Sequence, residues 1–559
     1  MAAVIRMQHS GATRPSDGRH WCDVVFNKGQ DMKTELDHLA DLAGRGRISR
    51  RDFLGRTAAL GVSAALATTL AGKAFAQSPV KGGILKAGLQ GGESTNSLDP
   101  ALNLSQVTFS FGKQWGEYLV RLTPDNKLVN LIAEDIGASK DAKTWTIKIR
   151  DGIEFHNGKT VGAEDVAATI ERHADEKSKS GALGILKNIK GVKASGKEVI
   201  FTLGDADADF PYLMADYHLV IQPNGGKDNP NAGISAGPYK VTVNQPGVRH
   251  GGERFANYWQ GDKAGHADQV EIVVINDATA RLAALQGGQV HMINRVEPKV
   301  VDLVKRIPGV SIENASGKGY YPFNMFCDTA PFDSNDLRMA LKLAMDRDEM
   351  LEKILRGYGS VGNDFPINEA YPLFTAIEQR KFDPEKAAAL YKKSGHSGSI
   401  LLRTSDVAFP GAVDAAQLYQ QSAAKAGIKI EIKREPGDGY WSEVWNKQPF
   451  SLSYWGGRAT QDQMYSTGYV STADWNDTRF KRPEFDKMLF AARGELDQAK
   501  RKAIYHDMAV LMRDEGGLIV PFFNQFIDAA ATSKISGFVK NPNGEMMDGY
   551  ALGECWLNA

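Results

Sequence analysis

Arg458 follows Tyr454, Trp455, Gly456 and Gly457 in the chain, and Asp462 lies four residues further on. In a closed, partly desolvated cleft an arginine presents a planar fork of donors that fits a carboxylate or a phosphate. A charge-assisted hydrogen bond of this kind contributes on the order of 1.5–3 kcal/mol. Gly456 and Gly457 let the backbone approach a ligand closely. Tyr454, Trp455, Tyr440, Trp441 and Trp475 offer flat walls, and Asp477 is grouped with them as a candidate contact. A competing reading joins Arg458 to Asp462 as a structural clasp and places the aromatic residues in a core.

Other chemistry finds little support. A phosphate-binding loop needs a glycine five residues before Gly158-Lys159-Thr160, and that position is Ile153. There is no H-E-x-x-H pair and no G-x-S-x-G nucleophile elbow. The eleven histidines are dispersed without metal-ligand spacing. His156 follows a strand pattern and precedes an Asn-Gly turn, which suits a structural role. The adjacent Glu164 and Asp165 are accounted for by a helix start, where the macrodipole favours anions. No catalytic constellation and no cofactor motif emerges, so the sequence predicts a protein that is not an enzyme and carries no cofactor.

The elements that must position these residues read as mixed α and β. Thr144–Arg150 alternates polar and apolar residues as a half-buried strand does, with Asp151-Gly152 and Asn157-Gly158 as turns beyond it. Residues 160–175 read as a helix, and 197–203 and 270–276 as strands. A helix over 277–286 ends at Gly287-Gly288 and is followed by a strand. Residues 334–355 show sustained 3.6-residue periodicity and predict one long helix. Residues 383–395 and 412–435 continue the helix-then-strand pattern. Strands alternating with helices point to α/β lobes with partly parallel sheets.

The length of 559 residues implies two to four domains. Lysine plus arginine and aspartate plus glutamate both number 67, which argues against a nucleic-acid partner. Near the start, Ser49-Arg50-Arg51-Asp52-Phe53-Leu54 precedes a weakly apolar Ala/Gly/Thr stretch that closes at Ala74-Phe75-Ala76. Cleavage is expected between Ala76 and Gln77. The arginine pair resembles the twin-arginine export signal, S-R-R-x-F-L, which implies passage through the twin-arginine translocase to the periplasm. Gln77 stands where a lipoprotein would carry cysteine, so a lipid anchor is not expected. Met32 is an alternative start. Export would leave Cys327 and Cys555 in an oxidising compartment, where a bond and two buried thiols are both open.

The segment Arg121–His173 closely resembles a signature of the family 5 extracellular solute-binding proteins, the dipeptide, oligopeptide, nickel and opine receptors of ABC importers. The matching residues are Ala133-Glu134, Trp145, Ile149-Arg150-Asp151-Gly152, Phe155-His156-Asn157-Gly158 and Ala163-Glu164-Asp165-Val166, with Asn157 in place of the usual aspartate. Ser235–Val241, the stretch from Tyr320 to Leu351, and Phe382–Gly395 are similar to later blocks in the same order. The resemblance spans roughly residues 80–540.

It implies an α/β fold of the type II periplasmic-binding-protein kind, with two lobes, an additional domain and a ligand cleft between the lobes. Residues 1–76 would form the N-terminal extension and signal. The first lobe would comprise 77–113, 231–318 and 516–559, the additional α/β domain 114–230, and the second lobe 319–515. Hinge closure on a small-molecule or short-peptide ligand would present a monomeric receptor to ABC permease subunits in the inner membrane.

Aligned on Trp455, peptide-binding members place an amine-binding aspartate where this chain has Arg458. Asp462 is then the candidate to recover the acidic role. Asn324 resembles a position lining the cleft, and the loop Gly91–Pro100 a cleft-edge loop with Ser94, Thr95 and Asn96 as polar contacts. The departure at Arg458 favours a carboxylate-bearing ligand, an acidic peptide or an opine-like conjugate. A metal-chelate or haem receptor and an exported enzyme with an unrecognised cofactor are the alternatives.

Overall fold

The computed structural model describes residues 79–495 and 497–558, together with parts of the stretch 35–67. The chain divides into two units, Met1–Pro79 and Val80–Ala559. In the first, Arg50–Ala59 forms a helix that carries the arginine pair, and Leu39 and Phe53 are buried. The expected cleavage site at Ala76 and Gln77 lies outside the described residues.

In the second unit an eight-stranded sheet collects strands from distant parts of the chain. Its order is Ser311–Tyr320, Phe522–Ala530, Met292–Ile293, Ile84–Leu89, Gln269–Val274, Arg249–Arg254 and Tyr239–Gln245, with Gly359–Val361 also on Phe522–Ala530. Ile84–Leu89 is central and runs parallel to both of its neighbours. Side chains alternate along a strand, so Leu85, Ala87 and Leu89 share one face, and all three are fully buried. The helix Gln106–Trp115 lies on this sheet and buries Val107, Phe111 and Trp115.

A five-stranded sheet orders Ile430–Arg434, Ile400–Thr404, Phe450–Leu452, Phe323–Met325 and Leu518–Ile519. Ile400–Thr404 runs parallel to both neighbours. Two of the chain's crossings between the large sheets are short, at 320–323 and at 519–522, and they lie side by side because Tyr320 pairs with Phe523. A third, antiparallel sheet of Ala133–Ala138, Thr144–Ile149, Glu198–Leu203 and Ile189–Ser195 has its own core around Trp145, Phe201 and Phe210.

The long helix expected over 334–355 is interrupted. Asn335–Leu343 is helical, and Asp346 then turns extended and caps a new helix at Arg347 by accepting from Glu349 N. The break carries Arg347 into a buried pair with Asp364, at 2.6 and 2.7 Å. Apolar periodicity runs through the break because both segments cover the same core. Cys327 and Cys555 are both buried and are not bonded to each other, and Cys555 Sγ lies 3.8 Å from Met547 Sδ.

Candidate functional site

Trp455 is pinned to the first chain crossing. Its N–H donates to the Tyr320 carbonyl at 2.9 Å, and Tyr320 N returns a bond to its carbonyl at 3.0 Å. The backbone then turns at Gly457, whose φ of 86° is left-handed and whose missing Cβ would sit 2.3 Å from Lys318 Cβ. No other residue fits there without a shift. A Cβ on Gly456, by contrast, would meet nothing within 4 Å. The turn delivers Arg458 into a cavity with about 930 Å³ of empty space, its mouth included.

Four parts of the chain supply most of this cavity's walls, with Leu122, Lys318 and Phe526 completing them. Ser105 and Gln106 bring the start of the helix Gln106–Trp115, and Lys113 lies two turns further along it. Asp216 and Tyr217 come from the segment after the antiparallel sheet, Gly456–Ala459 from the turn, and Asn543–Asp548 from the C-terminal region. The last of these is held in an unusual conformation. Met546, Met547 and Asp548 all have left-handed φ, between 53° and 60°, where side chains other than glycine are strained. Glu545 anchors it through Arg295 at 2.8 Å, and Met546 N donates to Asp528 at 2.6 Å.

Several polar groups on these walls lack partners. Arg458 spends Nη1 on the Gly457 carbonyl at 2.7 Å, while its buried Nε and Nη2 make no hydrogen bond. Asp216 approaches Nε only to 3.8 Å, a separation at which charges attract but no hydrogen bond forms. The Tyr217 and Trp455 rings lie 5.4 and 5.5 Å from the guanidinium. Burial opposes ionisation of Asp216, but His218 at 2.6 Å and Arg458 outweigh it and hold the carboxyl well below its usual range. Ser105 Oγ and Asp216 Oδ2 are also unpartnered.

Asp548 differs. Burial pushes it up to about 6 despite the opposing charges of Lys113, Arg121 and Arg458. Burial likewise lowers Lys318 to about 8. The cavity therefore offers a cationic corner at Arg458 and a proton-sensitive acid at Asp548.

Of the residues singled out in the sequence, Tyr454, Gly456, Gly457 and Arg458 line this cavity. Trp441, Trp455 and Trp475 line an adjoining hollow. The others are held elsewhere. Asp462 is bound in a buried pair to Arg493, at 2.7 and 2.9 Å, so neither the clasp with Arg458 nor a free amine anchor is formed. Tyr440 is core, its hydroxyl donating to the Leu452 carbonyl at 2.7 Å. Asn324 donates to Ser453 and Asp477, and Asp477 accepts from the indoles of Trp445 and Trp455. These two support the aromatic wall from behind.

Ser94 bonds across the cleft to Asp438, through its N–H at 2.8 Å and its Oγ at 2.9 Å. Thr95 is exposed, and Asn96 closes its own turn onto Glu93 N. His156 bonds to Gly237 O and Ser235 N, a structural role. Asp216, Asp548, Lys113 and Lys318 were not anticipated. Each lies in unremarkable local sequence, and only the fold gathers them.

A model of the bacterial extracellular solute-binding proteins, family 5, matches residues 127–477. The chain belongs to this family. Among curated relatives of this family 5 protein, the glutathione-binding protein GsiB of Pectobacterium atrosepticum is 23% identical over 473 residues, covering 81% of this chain and 91% of that one. The di/tripeptide-binding protein 1 of Pseudomonas aeruginosa is 24% identical over 428 residues, covering 70% and 79%.

Among solved structures, the periplasmic binding protein AgaA from A. tumefacien R10 in complex with agropinic acid superposes with a TM-score of 0.78 at 23% identity, over 85% of this chain and 99% of that one. DppA from Helicobacter pylori in complex with peptide STSA gives 0.77 at 19% identity, over 86% and 99%. These likenesses establish the α/β periplasmic-binding-protein fold expected from the sequence. The family makes this chain a substrate-binding protein of the kind that serves ABC importers. Its members are binding proteins rather than enzymes. Among the described residues no group of three or more His, Cys, Asp or Glu is placed to hold a metal ion.

Proposed function

We propose that the chain captures a small zwitterionic solute, a short peptide or an opine-like conjugate, between its lobes and delivers it to an ABC permease. The solute's carboxylate is taken by Arg458 and its ammonium group by Asp548. The observation that carries this reading is the pair of buried, unpartnered guanidinium nitrogens of Arg458 on the wall of the cavity. An orphaned charged donor costs stability unless a ligand satisfies it. Relatives that bind glutathione, di- and tripeptides and agropinic acid handle solutes of this general chemistry.

Ligand contacts made only in the closed form shift the lobes toward closure, with Ser94 and Asp438 as a latch. The lobe boundaries drawn from the sequence belong to this reading. So does export of a monomer through the twin-arginine translocase, cleaved after Ala76, free of a lipid anchor and without catalytic activity.

The test is titration calorimetry of the purified protein with the dipeptide Ala-Phe. Arg458→Gln is expected to weaken binding about tenfold or more, from the energy of a charge-assisted bond. Unchanged affinity in a folded variant refutes the assignment.

A further inference from the structure

Beside the main cavity, and sharing Leu104, Tyr217, Tyr454, Gly456 and Arg458 with it, lies a second hollow. Its other walls are the indoles of Trp441, Trp445, Trp455 and Trp475, and it encloses about 370 Å³ of empty space, its mouth included. The rings brace one another edge to face. Trp441 meets Tyr454 at 5.0 Å and 88°, and Trp445 meets Trp475 at 5.4 Å and 84°. Two of them are fixed from behind, since Asp477 accepts from Trp445 Nε1 at 2.8 Å and Trp455 Nε1 at 3.1 Å. Asn324 holds the same carboxylate oxygen at 2.9 Å.

Protein interiors close gaps larger than a water molecule, and large aromatic side chains are well able to fill one. Tyr440 nearby does so, fully buried with its hydroxyl bonded. Here Trp441, Trp445, Trp455 and Trp475 instead pack edge to face along one side of a hollow they leave unfilled, and at Gly456 on its lining an added Cβ would meet nothing within 4 Å. We propose that this hollow is a subsite for a planar ring, and that the preferred solutes carry an aryl or heteroaryl side chain next to the carboxylate held by Arg458. The inference rests on the proposed function and deepens it.

Charge decides among possible occupants. Aromatic faces also attract cations, but the Arg458 guanidinium already lies 5.5 Å from the Trp455 ring and would repel a second cation. An anionic side chain would face the negative faces of the rings. A neutral ring gains both edge-to-face contact and burial. Trp441 Nε1 is buried without a partner, a donor in reserve for a ring that carries an acceptor.

Calorimetry with Ala-Phe, Ala-Ala and Ala-Lys tests this. Ala-Phe is expected to bind at least tenfold tighter than either of the others. Trp441→Leu should weaken Ala-Phe at least fivefold and leave Ala-Ala within twofold, while Trp441→Phe keeps most of the preference. Equal affinities for Ala-Phe and Ala-Ala overturn the subsite and leave the Arg458 assignment standing. Failure of all three dipeptides to bind removes the carboxylate reading and the subsite with it. The wild-type comparison does not depend on any variant folding.

Discussion

Two adjacent glycines should respond oppositely to the same added methyl group. At Gly457 the backbone is left-handed, which costs an alanine about 1–2 kcal/mol. The new Cβ would also lie 2.3 Å from Lys318 Cβ and 3.0 Å from its carbonyl oxygen, and forced overpacking typically costs about 1–3 kcal/mol. Together Gly457→Ala should destabilise by about 2–5 kcal/mol. For cooperative unfolding of a unit of about 480 residues, an unfolding entropy near 2.1 cal/mol/K per residue turns this into a fall in Tm of about 2–5 °C. At Gly456 nothing lies within 4 Å of the added carbon, so Gly456→Ala should stay within about 0.5 kcal/mol of the parent. Differential scanning calorimetry and denaturant midpoints measure both. Because Gly457 aims Arg458, its variant should also bind Ala-Phe more weakly in proportion to the displaced turn. Equal stability of the two variants would refute the geometry of the Trp455–Arg458 turn.

Further outcomes follow from the charges. Asp548 titrates near 6, so a ligand ammonium bound to its ionised form should lose about tenfold in affinity between pH 7 and pH 5; calorimetry at the two values checks this, and Asp548→Asn should flatten the dependence. Asp462→Ala strips the buried Arg493 of its closest partner and should cost about 3–5 kcal/mol of stability while leaving the pH profile of binding unchanged. A changed profile would return the amine-anchoring role to Asp462. Asp438→Ala removes the acceptor of both Ser94 bonds and should weaken binding a few-fold through the closed state, with Tm nearly unchanged; small-angle scattering of the liganded variant would show a larger open fraction.

Much of the architecture is legible in the sequence because local patterns determine it. Thr144–Ile149 alternates as expected and forms a strand, and the helix over Ala163–Ala174 begins at its acidic pair. The interrupted helix shows where periodicity falls short. A cap at Asp346 and a buried ion pair with Asp364 outweigh a continuous apolar stripe, and the partner lies seventeen residues away. At the site, the Trp455–Arg458 turn is readable because its aromatic and glycine residues are contiguous. The acids are not. Asp462 looks available until Arg493, thirty-one residues downstream, claims it, and Asp548 gains its character only from burial beside Lys113. An ionisable side chain's role depends on its spatial partners, which spacing along the chain does not reveal.

The left-handed run at Met546–Asp548 ties the timing of function to synthesis. The core strand Ile84–Leu89 is among the first of this unit to be made, and Arg458 follows long before the end. The wall that carries Asp548 is made after both. A nascent chain that has reached only Ala531 holds both large sheets without the acid that closes the cavity. Binding competence therefore arises only after both sheets have been made, and a cut anywhere between Ala531 and Asn543 should yield a protein with much of its core and none of its complete site.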